Sequence, residues 1–298
     1  MIHRELVFPN RQLDRSSQLD PAHDCFDDSF LHRFHFFDLT MRSLTRLLLV
    51  SVVVPVLISA KCPAKDVTPP KVFLDKSPRI VAYQLKRLND ERLLLVPRST
   101  DDKKYIPVYE AIAARPAMAA GLREEAFDAL AELKGSTIAA EILGVVSATQ
   151  PQDAESRRLV ELLTSLMLKR PLEELAAIND ELIAAAEEDD RWLRSIGFAG
   201  LIKAGDAETA RSMADSDDDA ALAFLDAIRR LPSKDLKSAQ RPYAITKFEQ
   251  STAPEIKQAA IDALSRIPSD QADTYQRLIA LVDDPDQRIA ACRGLLRV

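Results

Sequence analysis

The stretch from Ala253 to Val298 carries one eight-residue pattern twice. Lys257 opens K-Q-A-A-I-D-A-L and Arg288 opens R-I-A-A-C-R-G-L, 31 residues further on. In each, a basic residue is followed by small residues at +3 and +6, a larger apolar one at +4 and Leu at +7, here Leu264 and Leu295. Positions three and four apart share one face of an α-helix, so the pattern describes an apolar stripe on a helix. One helical hairpin cannot bury such a stripe alone, whereas hairpins stacked side by side can. A recurrence of this length therefore predicts an array of helix pairs.

The same register recurs upstream. Arg123 is followed by Ala126, Phe127, Ala129 and Leu130; Arg194 by Gly197, Phe198, Gly200 and Leu201; and Ala221 by Phe224, Leu225, Ala227 and Ile228. The points at 123, 194, 221, 257 and 288 are 71, 27, 36 and 31 residues apart. The first gap holds two units if the helices expected at 154–169 and 172–187, parted by Pro171, belong to it. Glycines at 197 and 200 predict close helix approach, at a cost of about 1 kcal/mol each relative to Ala.

Between these points, local signals place the remaining helices. Ser77-Pro78 is an N-cap followed by Pro at the first helical position, opening a helix with Ile80, Val81, Tyr83, Leu85 and Leu88 on its apolar face. Asp101-Asp102 opens the next. Gly135 is a helix stop and Ser136 the following N-cap, with a partner helix over 137–146. Asp206 caps a short helix to Met213, and a polar helix is expected around 234–249. Few glycines, seven in all, with 47% hydrophobic residues rich in Ala and Leu agree with an all-α fold.

The first sixty residues are unlike the rest. All four histidines and six of the eleven phenylalanines lie within residues 1–40. From Met41, two arginines, an apolar run from Leu47 to Ile58 and Ala60 make the three-part pattern of a secretory signal peptide, too short to span a bilayer comfortably. Residues 1–40 are accordingly read as an upstream extension, 41–60 as the signal, 61–78 as a Pro-rich linker and 79–298 as the array. The protein is expected to be exported, periplasmic or secreted, and to touch a membrane only if the signal is uncleaved. Lys61 immediately before Cys62 disfavours a lipid anchor, and Cys62 and Cys292 at opposite ends of an array are not expected to pair.

Chemistry is sparse. No histidine follows residue 41, which removes an imidazole base, a His metal ligand and an axial haem His. There is no C-x-x-C-H, phosphate-binding glycine loop or nucleophile elbow. The acidic run Asp215, Asp217, Asp218, Asp219 with Asp226 has calcium-loop spacing. Ala220 stands where that loop needs Gly, so an acidic first turn of a helix is the expectation. Arg123, Arg194, Lys257 and Arg288 are expected to pair with neighbouring carboxylates in turns and so set the stacking of repeats. A net charge of −6 disfavours nucleic acid as a partner. Trp192 is assigned to the core, with an interface anchor as the alternative.

The register, with its basic residue near the start of the second helix of a pair, resembles the HEAT-repeat family. The stretch Lys71 to Val96, K-V-F-L-D-K-S-P-R-I-V-A-Y-Q-L-K-R-L-N-D-E-R-L-L-L-V, followed by D-D-K-K-Y-I-P-V-Y-E-A-I, resembles the start of large exported HEAT-repeat proteins of planctomycete-type bacteria. The resemblance implies a right-handed α-solenoid of helical hairpins over residues 71–298. In such proteins the array commonly precedes a C-terminal c-type cytochrome domain, whose haem-bearing part is not present here. Two functions follow as expectations: a non-catalytic scaffold without cofactor that binds another protein, or the N-terminal part of a haem or dehydrogenase assembly. Leu295, Leu296 and Val298 form an apolar end on which another protein or further repeats would dock.

Overall fold

The computed structural model describes residues 68–298. The expected upstream extension, the signal peptide, Cys62 and the first part of the linker lie outside the described residues. Within them the chain is helical throughout, without a β-strand.

The N-terminal part comprises α1 (Pro78–Lys86), α2 (Asp90–Leu94), a 3₁₀ turn (Lys103–Tyr105), α3 (Ile106–Ala113), α4 (Ala120–Lys134) and α5 (Ile138–Ala148). Ser77 stands at the N-cap of α1 without a side-chain cap bond, and Pro78 opens the helix. Only Val81 and Leu85 of the expected apolar face are buried; Ile80 and Tyr83 are 48% and 63% exposed. The α1–α3 contact covers one narrow stripe of α1, leaving its flanking positions to solvent. Gly135 ends α4 in the left-handed conformation (φ 67°), where its missing Cβ removes the steric penalty. Thr137, not Ser136, is the N-cap of α5, its hydroxyl accepting from the Ala140 N–H at 3.1 Å. The Schellman-type stop occupies Ser136, whose N–H donates to the Ala131 carbonyl.

Next come α6 (Ala154–Leu168), α7 (Leu172–Ala176), α8 (Asn179–Glu187), α9 (Arg191–Ala204), α10 (Ala207–Ala214) and α11 (Asp218–Arg230). The single helix expected over 172–187 is thus two, broken at Ala177 and Ile178, with Ile178 buried at the break. The C-terminal part holds α12 (Lys234–Ala239), α13 (Arg241–Gln250), α14 (Pro254–Leu264), α15 (Gln271–Ile279) and α16 (Arg288–Leu295). The polar helix expected at 234–249 is also divided, because Pro242 has no N–H to continue the α12 ladder and instead sits in the first turn of α13.

Four of the five register helices are contiguous in space, while α4 packs on α3 and α5. α9 packs on α8 and α11, α11 on α14, and α14 on α16, while α13 and α15 pack on α14 and α16 as the first helices of their pairs. The stripe is what they bury. Ala126, Phe127, Ala129 and Leu130 are all 5% exposed or less, as are Phe198 and Leu201, the set Phe224, Leu225, Ala227 and Ile228, and the set Ala260, Ile261, Ala263 and Leu264. Each fully buried Leu, Ile or Phe contributes about 1.5–3 kcal/mol relative to exposure, before chain entropy opposes it. The rings of Phe198 and Phe224 stand edge to face with centroids 5.6 Å apart, and the Phe224 and Tyr243 centroids are 4.4 Å apart, linking α9, α11 and α13 through one aromatic file.

Two glycines are explained by this packing. A Cβ on Gly197 would lie 2.8 Å from the carbonyl carbon of Ala185, in the backbone of α8, and one on Gly200 would run into the Leu182 side chain. α8 and α9 approach so closely that only hydrogen fits at Gly197.

Candidate functional site

The basic register residues are positioned by the turns that precede their helices. Arg123 is buried, and its guanidinium donates to the carbonyls of Ala113 at 3.2 Å, Arg115 at 2.6 Å and Pro116 at 3.3 Å. These are the carbonyls left without helical partners where α3 ends. Arg194 likewise donates to the Glu188 carbonyl at 2.8 Å behind α8, and Arg288 to the Val282 carbonyl at 2.8 Å behind α15. The expected pairing with carboxylates is therefore corrected for Arg123 and Arg288 and holds for Arg194, which also pairs with Asp217. These arginines hold main-chain carbonyls, with Asp217 a longer contact to Arg194 at 3.4 Å. A guanidinium presents several donors in a plane and reaches more than one carbonyl at once; an ammonium does not match that geometry. Lys257, half-buried at the start of α14, takes no part in such a cap. Burial pushes the Arg123 guanidinium below its ordinary value, yet an arginine stays charged throughout the working pH range.

Leu130, Leu201, Ile228 and Leu264 are core residues. Leu295 is half-buried, as is Val298, while Leu296 is 88% and Ile289 66% exposed. At the +4 position, where Phe127, Phe198, Leu225 and Ile261 are covered, Cys292 of α16 is exposed as a free thiol. With Tyr275 and Ile279 of α15, also exposed, these residues make an apolar surface on the last helix pair.

Trp192 is half-buried against the core. Its ring lies under the Arg230 guanidinium at 4.5 Å, and its Nε1 is shielded from solvent without an acceptor. Arg230 is itself held by Ser195 Oγ at 3.1 Å and Glu161 Oε2 at 2.7 Å, which ties α6, α9 and α11 together. The acidic run forms a helix start. Asp217 accepts from the Ala220 N–H at 2.6 Å, and Asp226, inside α11, pairs with Arg191 at 3.2 Å. The bond from Ala220 holds the Asp217 carboxyl below the usual carboxylate range, against the opposing effect of burial. Among the described residues no group of three or more Asp, Glu, His or Cys is arranged to hold a metal ion.

Three cavities share walls across the N-terminal helices. The first, about 520 Å³, lies between α1 and α3 and is lined by Ala82, Lys86, Glu110, Ala111 and Ala114. The second, about 400 Å³, shares Glu110 and Ala114 and continues over Gly144, Val145 and Ala148 of α5. The third, about 460 Å³, shares Thr149 and ends against Glu188, Asp190 and Trp192. Lys134 spans the middle, paired with Glu110 and Glu141 at 2.9 Å each. Sequence reasoning passes over this trench because its walls come from helices far apart in the chain. Its one local signal is Gly144, a glycine inside a helix.

Beyond the register, Arg115 donates to the carbonyls of Leu85 and Leu88 at the end of α1, and buried Arg241 joins α13 to Thr274 and Asp273 of α15. Neither is marked by spacing. No protein-family model matches the chain, and no curated protein and no solved structure matches it either.

Proposed function

We propose that this protein is a HEAT-like α-solenoid acting as an exported, non-catalytic scaffold that binds another protein through the apolar surface of its last helix pair. The observation that carries the reading is the contrast at the +4 position, buried in α4, α9, α11 and α14 and exposed at Cys292 in α16, beside exposed Ile289 and Leu296. Burying such side chains against a helical partner would extend the packing that α14 and α16 already make. The consecutive contacts of α9, α11, α14 and α16 and their shared small-residue register support the solenoid arrangement. The absence of histidine after residue 41 supports the non-catalytic part.

The test is affinity capture from an extract of the native cells with the purified chain and with an Ile289→Asp, Leu296→Asp double variant. A specific partner retained by the first and lost by the second is expected. Identical retention by both, with melting curves that coincide, would reject this surface as the binding site.

A further inference from the structure

Gly144 lies in the interior of α5, where glycine weakens a helix. Its conformation is ordinary helix, and a Cβ built there meets no atom within 4 Å. Gly197, Gly200 and Gly294 differ, since a Cβ on each would collide with a neighbouring helix. The chain's own packing thus accounts for those three and not for Gly144. What Gly144 does is keep the middle of the trench open between the Ala114 and Ala148 positions.

The trench is also polarised. Lys86 and Arg115 stand at the α1 end, Arg115 already paired with Asp90; at the opposite end the charged walls are Glu188 and Asp190 alone. Between them the floor is small and apolar, and the Glu110–Lys134–Glu141 cluster is already internally paired.

The geometry points to this trench as a docking site for a peptide segment of a partner protein, apolar along its middle, with a carboxylate toward Lys86 and a cationic side chain toward Glu188 and Asp190. It deepens the scaffold reading, on which it rests, by naming a second surface and the chemistry of its occupant. Small floor residues let a peptide backbone lie close, and charges at the two ends fix its direction.

The experiment pans a phage-displayed random peptide library on the full chain and titrates each enriched peptide, synthesised with a fluorophore, by anisotropy. Trp192, the only tryptophan in the chain, reports independently by its emission. The expected peptides carry a basic residue at one end. Their affinity falls by about tenfold or more with Gly144→Trp, which plugs the trench, and with Glu188→Lys, as for loss of one anchor. Ile289→Asp with Leu296→Asp leaves it unchanged. Since position 144 is exposed with open space beside it, the plugged variant melts no lower than the parent. Enriched peptides that bind Gly144→Trp as tightly as the parent would overturn the trench. If they were instead lost with the Ile289, Leu296 double variant, the scaffold reading would survive without it. A library yielding no binder would count against the trench while leaving the native-partner capture to decide the scaffold.

Discussion

The guanidinium of Arg123 donates to the carbonyl oxygen of Arg115 at 2.6 Å, closing the end of α3 from inside α4. With its bonds to Ala113 and Pro116, it serves the carbonyls where α3 ends, that of Ala113 buried. Replacing Arg123 by Met removes all three bonds, leaves the buried Ala113 carbonyl unsatisfied and should cost about 2–3 kcal/mol, with Arg123→Lys recovering only part. Lys257→Met, at the equivalent position without a cap, should stay within about 0.5 kcal/mol. Urea unfolding midpoints at unchanged slope measure both; equal effects at the two positions would refute the capping role.

Gly197 and Gly144 should respond to the same substitution with opposite sign. Gly197→Ala drives a methyl group into the backbone of α8, which has no rotamer to yield, and should destabilise by about 1–3 kcal/mol. Gly144→Ala meets open space and gains helix propensity, stabilising by up to about 1 kcal/mol. Thermal melts of the two variants beside the parent decide the matter.

Leu264 and Leu296 separate the core from the exposed surface. Leu264 is 1% exposed, so Leu264→Asp buries a carboxylate among α11, α14 and α16 and should cost more than about 4 kcal/mol, unfolding adjacent helices. Leu296→Asp, at 88% exposure, should leave stability unchanged. Far-ultraviolet circular dichroism followed through denaturation distinguishes them.

Acid should destabilise the fold through its helix caps. Asp153, Asp206 and Asp217 are held below the usual carboxylate range, Asp153 and Asp217 chiefly by backbone N–H bonds from Ser156 and Ala220 and Asp206 chiefly by its bond to Thr209. A lowered folded-state value means that the unfolded chain binds the proton more readily. The contribution is therefore complete above the unfolded value of about 4 and is lost as the pH falls through the lower folded values. Asp217→Asn keeps an acceptor for the Ala220 N–H but cannot titrate. Its melting temperature should fall less than the parent's between neutral and acidic pH; parallel curves would show that Asp217 contributes nothing to the acid response.

Much of the helical layout was legible in the chain because its causes are local. Gly135 as a helix stop, Asp206 as a cap, the acidic start of α11, and the apolar spacing at 126–130, 224–228 and 260–264 each act within a turn or two of helix. The division at Pro242 was local and legible, whereas the other misreadings arise from packing between helices. Ile80 and Tyr83 have the spacing of a buried face but no second helix to cover them, and the break at Ala177 and Ile178 is made by packing on α9 rather than by a proline. The main-chain partners of Arg123, Arg194 and Arg288 were missed because carbonyls exposed at a helix end leave no mark in side-chain spacing.

The sequence by itself therefore determined an all-helical chain with a recurring apolar register, since hydrophobic periodicity and capping act over a few residues. Only the tertiary structure decided which arginines close which helix ends, which positions of the register face solvent, and that α1, α3, α5 and α9 line one trench. Those outcomes depend on distances between groups tens of residues apart, which are set when helices pack and not by the order of residues within any one of them.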